Sequence, residues 1–202
     1  PLASMSGSIQ VLRQELPLNA EQEQLMDIVL RESERLNETI KSFLAYARPQ
    51  RASLRKLDLR PLLHDTTVLL RNSSEIRDTH RIVVDVPEIP VEVEADEAQV
   101  KQVVWNLATN GLRAMPDGGR LRLAAHANGT GVRLAVQDEG VGIAAEDLDG
   151  IFQPFRGAFF KGSGLGLSIV HRIVSDYGGE IEVTSQRGQG TTVTVRLPGT
   201  AV

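Results

Sequence analysis

Two glycine-bearing loops in the C-terminal half of the chain constrain the fold more than any other feature of the sequence. The first, Asp138–Gly142, follows an alternating strand pattern and offers one fixed carboxylate. The second, Gly162–Gly166, opens an amphipathic helix whose N-terminal N–H groups can bind phosphate oxygens. Neither loop has the Gly-Lys-Ser/Thr ending of a P-loop or the dinucleotide fingerprint of a βαβ unit. Together the loops predict a site with a buried acceptor for a purine and N–H donors for its phosphates.

A helix that carries two asparagines is predicted just before the first loop. Apolar or small residues recur at helical spacing from Val100 to Ala114. Asn106, Asn110 and Arg113 follow one another in steps of four and three, which places them on one face beside the apolar stripe. Amide oxygens suit magnesium, which takes only one or two protein oxygens beside phosphates. Alone, the asparagines would be ordinary surface residues, but the neighbouring glycine loops favour a role as ligands.

Five short motifs occur in an order that resembles the sensor histidine kinases of two-component systems. The motifs are similar, in chain order, to the N, G1, F, G2 and G3 boxes of that family. They are Asn106-x-x-x-Asn110, Asp138-x-Gly140-x-Gly142, Phe152-x-x-Phe155, Gly162-x-Gly164-x-Gly166 and Gly190-Thr191-Thr192. The resemblance spans nearly the whole chain. It implies the Bergerat ATP-binding fold of gyrase, Hsp90 and MutL, and within the kinases it looks closest to nitrogen-regulation and pilus-type sensors.

The resemblance implies ATP and Mg²⁺ as cofactors and assigns roles to residues. Asp138 is expected to accept the adenine amino group, Asn110 to bind magnesium, and Asn106 to stand where hydrolytic relatives carry a glutamate base. An amide cannot take a proton from water at neutral pH, so ATP is expected to be kept for transfer. The expected catalytic residues are Asn106, Asn110 and Arg113. These three and Asp138 are expected to bind the nucleotide together with Gly140, Gly142, Ile143, Lys161, Gly162, Gly164, Leu165, Gly166, Leu167 and Thr191.

A segment rich in phenylalanine joins the two glycine loops. It contains Pro154 and Gly157, which exclude one long buried helix. It also contains four of the five phenylalanines of the chain: Phe152, Phe155, Phe159 and Phe160. We interpret this segment as a lid whose rings pack against the domain or against the hairpin bundle and which is ordered by bound nucleotide. The alternative for Phe152 or Phe155 is that it anchors a short helix starting near Ala144.

The N-terminal part of the chain is predicted to be a helical hairpin. Two apolar stripes with heptad-like spacing are separated at Pro17, and Asn19 with Gln22 is typical of a capping box. Because a hairpin buries only part of its apolar surface, we expect two copies to form a four-helix bundle. The alternative is an arm that lies on the globular part of the same chain. The predicted domains are the hairpin at 1–48, a basic linker at 49–57 and a catalytic ATP-binding domain at 58–202.

The fold class predicted for the whole chain is α+β. After the hairpin, helices alternate with mostly hairpin-connected strands, which predicts an α/β sandwich with a mixed sheet and helices on one face. Helices are expected at about 59–76, after the cap Asp96, and at 165–177. Strands are expected at about 81–86, 91–95, 121–127, 132–137, 181–184 and 192–197.

The phosphoacceptor histidine of the family is expected to lie before Pro1. The start Pro1-Leu2-Ala3 is similar to the end of the family motif His-Glu-x-x-Asn-Pro-Leu, and the chain's histidines all lie beyond the hairpin: His64, His80, His126 and His171. We therefore expect the catalytic portion of a kinase that dimerises and passes phosphate by way of a histidine to a response-regulator receiver domain. The alternative is an ATP-switched dimeric binding module without phosphotransfer. An ATPase of the gyrase or Hsp90 sort is disfavoured by Asn106 and by the hairpin.

Charge and composition limit the other classes of function. The formal net charge is −4 and basic residues form no patch, so nucleic-acid binding is not predicted. The chain has no cysteine, which excludes disulfides and thiol chemistry. No stretch approaches a membrane span and no signal-like start is present, so we expect a cytoplasmic chain without membrane contact. Kinases of this sort are often tethered to the bacterial inner membrane by upstream segments.

Overall fold

The computed structural model describes residues 2–47, 52–129, 131–155 and 164–199. The chain divides into two compact units, Pro1–Pro49 and Gln50–Val202. Among the described residues, no helix combines the length and the apolar character needed to cross a bilayer.

The N-terminal unit is the predicted pair of helices, α1 (Leu2–Glu15) and α2 (Ala20–Ala47). The capping box before α2 is confirmed: Asn19 Oδ1 accepts from the Gln22 N–H at 2.9 Å, and Gln22 Oε1 accepts from the Asn19 N–H at 3.0 Å. An ion pair of 2.6 Å between Arg13 and Asp27 also joins the two helices. The large apolar side chains that stay exposed on this unit are Val11, Leu12, Leu16, Leu25, Ile28, Val29, Leu36 and Ile40.

The C-terminal unit contains seven strands and four helices in its described part. In chain order these are β1 (Arg55–Asp58), α3 (Leu59–Arg71), β2 (His80–Asp85), β3 (Glu92–Ala95), α4 (Glu97–Arg113), β4 (Gly119–Ala127), β5 (Gly131–Asp138), α5 (Ala145–Leu148), α6 (Gly166–Asp176), β6 (Glu180–Gln186) and β7 (Gly190–Pro198). The largest sheet has the strand order β2-β4-β5-β7-β6. Its β2–β4 pair is parallel and its other pairs are antiparallel, which confirms the predicted mixed sheet.

One face of this sheet is apolar and is covered by helices. Residues of alternate positions along β4, β5 and β7 are buried there, among them Leu121, Leu134 and Val195. The helices α3, α4 and α6 pack against these strands. Asp96 caps α4 as predicted, since its Oδ1 accepts from the N–H groups of Ala98 and Gln99. This layering places the end of β5 next to the C-terminal half of α4.

Two predictions about element boundaries are wrong. Residues 55–57, predicted as linker, belong to β1, which pairs antiparallel with β3 in a separate two-stranded sheet. The helix predicted to reach about Ile76 ends at Arg71. There the Asn72 amide donates to the Val68 carbonyl and the Ser73 hydroxyl to the Leu70 carbonyl, so side chains satisfy the carbonyls of the last turn.

Candidate functional site

A pocket lies where α4, the end of β5, the start of α6 and β7 come together. It contains residues of the asparagine helix and of the first predicted loop, together with Leu167, which directly follows the second loop. The residues that line it are Leu107, Asn110, Gly111, Val136, Asp138, Ile143, Ile151, Leu167, Thr191 and Val193. The predicted site residues Asn110, Asp138, Ile143, Leu167 and Thr191 therefore share one pocket, whose other walls are mostly apolar.

Asp138 is the buried acid of this pocket. It is only 7% exposed, and its Oδ1 accepts from the N–H groups of Gly140 at 2.9 Å and Thr191 at 3.2 Å. Its Oδ2 accepts no hydrogen bond from the part of the chain that the structure describes. Burial raises the pKa of this carboxyl above its ordinary value, and the two N–H donors partly oppose that rise. One oxygen is thus fixed by the backbone, and the other remains as an acceptor.

A hydroxyl network that was not predicted supports Asp138 from the side of β7. The Ser185 and Thr191 hydroxyls are 2.9 Å apart, and the Ser185 hydroxyl also donates to the Gly190 carbonyl at 3.0 Å. The same hydroxyl accepts from the Ile143 N–H at 2.8 Å. Ser185 therefore ties the first glycine loop to the β6–β7 hairpin, across a sequence separation that no local pattern reveals.

The glycines of the first loop allow close contact with neighbouring backbone. A Cβ on Gly140 would lie 2.4 Å from the Ala114 carbonyl oxygen, which accepts from the Val141 N–H at 2.9 Å. Gly142 has φ +66°, and a Cβ there would lie 2.0 Å from the Gln186 oxygen. The loop is therefore held between the end of α4 and the β6–β7 turn.

Gly111 belongs to the stripe of apolar and small residues on α4 and also lines the pocket. A Cβ at this position would lie 2.7 Å from Leu121 Cδ1 and 3.6 Å from Asp138 Oδ2. A glycine inside a helix costs about 1 kcal/mol relative to alanine. The signal that could have identified it is this mid-helix glycine directly after Asn110.

Gly166, the last residue of the second loop, lies beside the two asparagines. A Cβ on Gly166 would lie 3.7 Å from Asn110 Nδ2 and 3.8 Å from Asn106 Cγ. Gly166 is the first residue of α6, and no side chain caps that end of the helix through its N-cap residue, the buried Leu165. Asn106 Nδ2 is buried and has no hydrogen-bond partner among the described residues. A buried donor without a partner is expensive, and it fits a site that a polar ligand completes.

Arg113 does not line the pocket, and its predicted contact with the phosphates stays a prediction. Its guanidinium binds Glu75 side-on, with Nε to Oε2 at 3.0 Å and Nη2 to Oε1 at 2.5 Å. Glu75 lies in the loop after α3 and satisfies two donors of the arginine. Arg113 therefore lies one turn of α4 beyond the pocket residue Asn110.

The segment between the two loops is described as far as Phe155. The Phe155 N–H donates to the Gly164 carbonyl at 2.9 Å, Phe155 has φ 62°, and its ring is exposed. Phe152 contacts His171 of α6, with ring centroids 5.5 Å apart. Short helix α5 begins after Ala144, as the alternative for this segment expected. Outside the described residues lie the predicted ligands Lys161 and Gly162 and the lid residues Gly157, Phe159 and Phe160.

The donor set fits a nucleotide better than a metal held by protein alone. In the described ranges, no three His, Asp or Glu side chains are grouped as a metal site would require. The Asn110 side-chain amide lies beside the start of α6, and its oxygen is a type of ligand that suits magnesium bound also to phosphates. The free oxygen of Asp138 fits an amino group of a base. Both ends of a nucleotide therefore have a fitting partner in this site.

Known relatives resemble the chain over almost its full length. Sensor histidine kinase ZraS of Escherichia coli (strain K12) is 34% identical over 198 residues, which are 98% of this chain and 42% of that protein. Sporulation kinase D of Bacillus subtilis (strain 168) is 34% identical over 202 residues, which are 100% of this chain and 40% of that protein. The chain thus spans about two fifths of the length of these relatives. The narrower likeness to nitrogen-regulation and pilus-type sensors stays a prediction.

Solved structures with the same architecture point to the same family. Full-length ShkA in complex with AMPPNP superposes with a TM-score of 0.78 and 27% identity, over 100% of this chain and 46% of ShkA. Histidine kinase ThkA in complex with response regulator protein TrrA gives a TM-score of 0.76 and 26% identity, over 98% of this chain and 58% of that chain.

Family profiles match both units of the chain. Residues 1–52 match the His Kinase A (phospho-acceptor) domain. Residues 95–201, more than half of the chain, match the histidine kinase-, DNA gyrase B-, and HSP90-like ATPase family and include all of the pocket residues. The chain therefore belongs to the sensor histidine kinases and carries their ATPase-like domain.

Proposed function

We propose that this chain binds ATP with magnesium and serves, in its whole protein, to transfer the γ-phosphoryl group to a histidine for relay to a response-regulator aspartate. The observation that carries the proposal is the arrangement of Asp138. Two backbone N–H groups hold its Oδ1, and its Oδ2 is left as an acceptor inside a mostly apolar pocket. That is the combination that binds and orients the amino edge of a flat, apolar base.

Base binding is assigned to the inner part of the pocket. Asp138 Oδ2 accepts a hydrogen bond from the exocyclic amino group of adenine. Leu107, Val136 and Ile143 supply apolar contact to the ring. Gly111 leaves room beside Oδ2, because a side chain there would crowd Leu121 and Asp138. The carboxylate form of Asp138 is the form that accepts this hydrogen bond, so the proton on Asp138 competes with the ligand.

Phosphate and magnesium binding are assigned to the outer part, between α4 and α6. Asn110 holds magnesium through its amide oxygen, and Asn106 Nδ2 donates to a phosphate oxygen. The start of α6 at Gly166 adds N–H groups and the positive end of the helix dipole. Gly162 and Lys161 stay predicted contributors. When bound, ATP supplies the phosphoryl group, and magnesium neutralises charge on its phosphates.

Transfer is favoured over hydrolysis by the residue type at position 106. An amide cannot accept a proton from an attacking water at neutral pH, in contrast to the glutamate that hydrolytic relatives carry at this position. Asn106 therefore orients the phosphates without activating water. The bound phosphoryl group is then kept for a nucleophile that the protein presents.

The acceptor and the partners lie outside this site. Residues 1–52 contain no histidine, although they match a phospho-acceptor domain. We assign the acceptor histidine to a part of the whole protein that this sequence does not include. Homodimerisation through the hairpin is supported by the exposed leucines and valines of α1 and α2. A receiver domain as partner is supported by the relative ThkA, which forms a complex with the response regulator TrrA.

The second candidate is an ATP-switched dimer that signals by conformation without phosphotransfer, since such a dimer needs only the pocket and the exposed apolar residues of α1 and α2. The two candidates share nucleotide binding and differ in covalent chemistry. Labelling with radioactive ATP therefore separates them.

Incubated with γ-labelled ATP and magnesium, the 202-residue chain is expected to remain unlabelled on histidine. A chain extended upstream through a His-Glu-x-x-Asn segment is expected to become labelled, because the acceptor is then present. Acid-labile, base-stable phosphate on gel-separated protein is the readout. Label on the short chain would assign the acceptor to one of its own histidines, and an unlabelled extended chain that still binds ATP would favour the conformational switch.

A further inference from the structure

Three side chains between Glu75 and His80 bind the C-terminal end of α4 and the turn that follows it. Arg77 Nη1 donates to the Pro116 carbonyl, and the His80 Nε2–H donates to the Met115 carbonyl at 2.8 Å. The third contact is the ion pair between Glu75 and Arg113. Two of these contacts are to backbone and hold the loop in place. Only the third engages a side chain of the asparagine face of α4.

The Glu75–Arg113 pair has the geometry that fixes a guanidinium plane. The carboxylate binds the side of the guanidinium through both of its oxygens, at 3.0 Å to Nε and 2.5 Å to Nη2. The two side chains are 26% and 28% exposed, so the pair is neither fully solvated nor sealed in the core. A pair of this kind restricts the rotamers of a long side chain more than it stabilises the fold.

The pair leaves part of the arginine unused. Nη1 of Arg113 has no hydrogen-bond partner among the described residues, and an arginine has no way to lose its charge at ordinary pH. Arg113 lies one turn beyond Asn110 on α4 and directly before Ala114, whose carbonyl accepts from Val141 of the first glycine loop. The free donor is thus at the junction of the asparagine helix and that loop.

We infer that Glu75 is a positioning residue: it holds the guanidinium of Arg113 side-on, so that Nη1 is presented to the phosphate chain of the bound nucleotide. This inference rests on the proposed function, because it needs a nucleotide in the pocket. Glu75 itself touches no ligand. Its contribution is to remove rotamer freedom from Arg113 before binding, which lowers the entropy lost when the phosphate contact forms.

Glu75 could also weaken ATP binding, and this opposite effect has its own physical basis. A carboxylate near the phosphates repels them, and one that occupied the donors of Arg113 would compete with them. Positioning predicts that removing the carboxylate weakens ATP binding, whereas competition predicts that its removal strengthens ATP binding. The sign of one affinity change therefore separates the two.

The experiment is a double-mutant cycle on the 202-residue chain with Glu75→Gln, Arg113→Ala and the double variant, titrated with ATP and magnesium and separately with adenosine. We expect Glu75→Gln to lower ATP affinity on the order of threefold to tenfold and to leave adenosine affinity unchanged. In the Arg113→Ala background, Glu75→Gln is expected to have no further effect on ATP affinity. Glu182→Gln, which breaks the 2.6 Å ion pair with Arg196 on β6 and β7, is the matched control and should change neither affinity.

Three results would overturn the inference: higher ATP affinity in Glu75→Gln, unchanged ATP affinity, or an equal loss for ATP and adenosine, which indicates a structural role only. Glu75→Asp keeps the charge with a shorter side chain and supplies the same comparison if Glu75→Gln unfolds. Failure of the unmodified chain to bind either compound would instead overturn the proposed function, and the inference with it.

Discussion

Replacing Asp138 with asparagine is expected to lower the affinity for Mg-ATP by about 1.5–3 kcal/mol, the usual range for a hydrogen bond to a charged group. Asparagine keeps the shape and can still accept from Gly140 and Thr191 through its oxygen. The NH₂ group of the asparagine then occupies the position of Oδ2. Because this group is a donor, it cannot accept a hydrogen bond from the adenine amino group. Isothermal titration calorimetry measures the change. Asp65→Asn, at an exposed position of α3, is the control and should leave the affinity unchanged.

The same variant should alter the pH dependence of binding and the stability of the empty domain. Burial raises the pKa of Asp138, so the folded state takes up this proton more readily than the unfolded state. The ionised carboxylate therefore costs stability above the raised pKa, and that cost is relieved as the pH falls below it. ATP affinity should fall as the pH is lowered through the same range, because binding needs the ionised form.

Asp138→Asn removes the titrating group, so its ATP affinity should lack this dependence on pH. Its free energy of unfolding at neutral pH should be equal to or higher than that of the unmodified chain. Equal calorimetric affinities for the two chains at neutral pH would show that Asp138 does not bind the base.

The substitution Gly142→Ala is expected to disrupt both the first glycine loop and nucleotide binding. The residue has φ +66°, and its new Cβ would lie 2.0 Å from the Gln186 carbonyl oxygen. That oxygen belongs to β6, whose pairing with β7 leaves it little room to move. Strain and overpacking together should lower the free energy of unfolding by about 2–5 kcal/mol. Urea unfolding followed by circular dichroism measures the loss, and ATP titration should show little or no binding.

The chain offers a matched control for the cost of a positive φ in the absence of a steric clash. Gly178, after α6, has φ +64°, and a Cβ there would meet nothing within 4 Å. Gly178→Ala should therefore carry only the cost of a left-handed alanine, about 1–2 kcal/mol, with ATP affinity unchanged. Equal losses of stability in the two variants would contradict the close contact described for Gly142.

Features set by neighbouring residues could be predicted from the sequence. The caps at Asn19 and Asp96 depend on groups two or three positions away, so their patterns are complete within a short segment. The alternation that predicted β5 belongs to the strand itself, since its period is a property of the backbone. The two-loop arrangement likewise predicted which chain segments would meet at the pocket.

Features that depend on distant segments could not be predicted. β1 is a short, mostly charged segment that becomes a strand only by pairing with β3, so it was assigned to the linker. The spacing of Arg113 to Asn110 predicts a contact with the phosphates but not the ion pair with Glu75, which lies 38 residues away. Ser185 bonds to the N–H of a residue 42 positions away and carries no motif of its own.

Backbone amide NMR of the 202-residue chain tests the central claim most directly. Gly140 and Thr191 donate to the oxygen of Asp138 opposite the one assigned to the base, and Gly166 begins the helix assigned to the phosphates. Adenosine should shift the amide resonances of Gly140 and Thr191 but not that of Gly166. A nonhydrolysable ATP analogue with magnesium should shift all three, and Asp138→Asn should abolish the response to adenosine. Saturating ATP analogue that leaves Gly140 and Thr191 unshifted while other resonances move would contradict the assignment of this pocket as the nucleotide site.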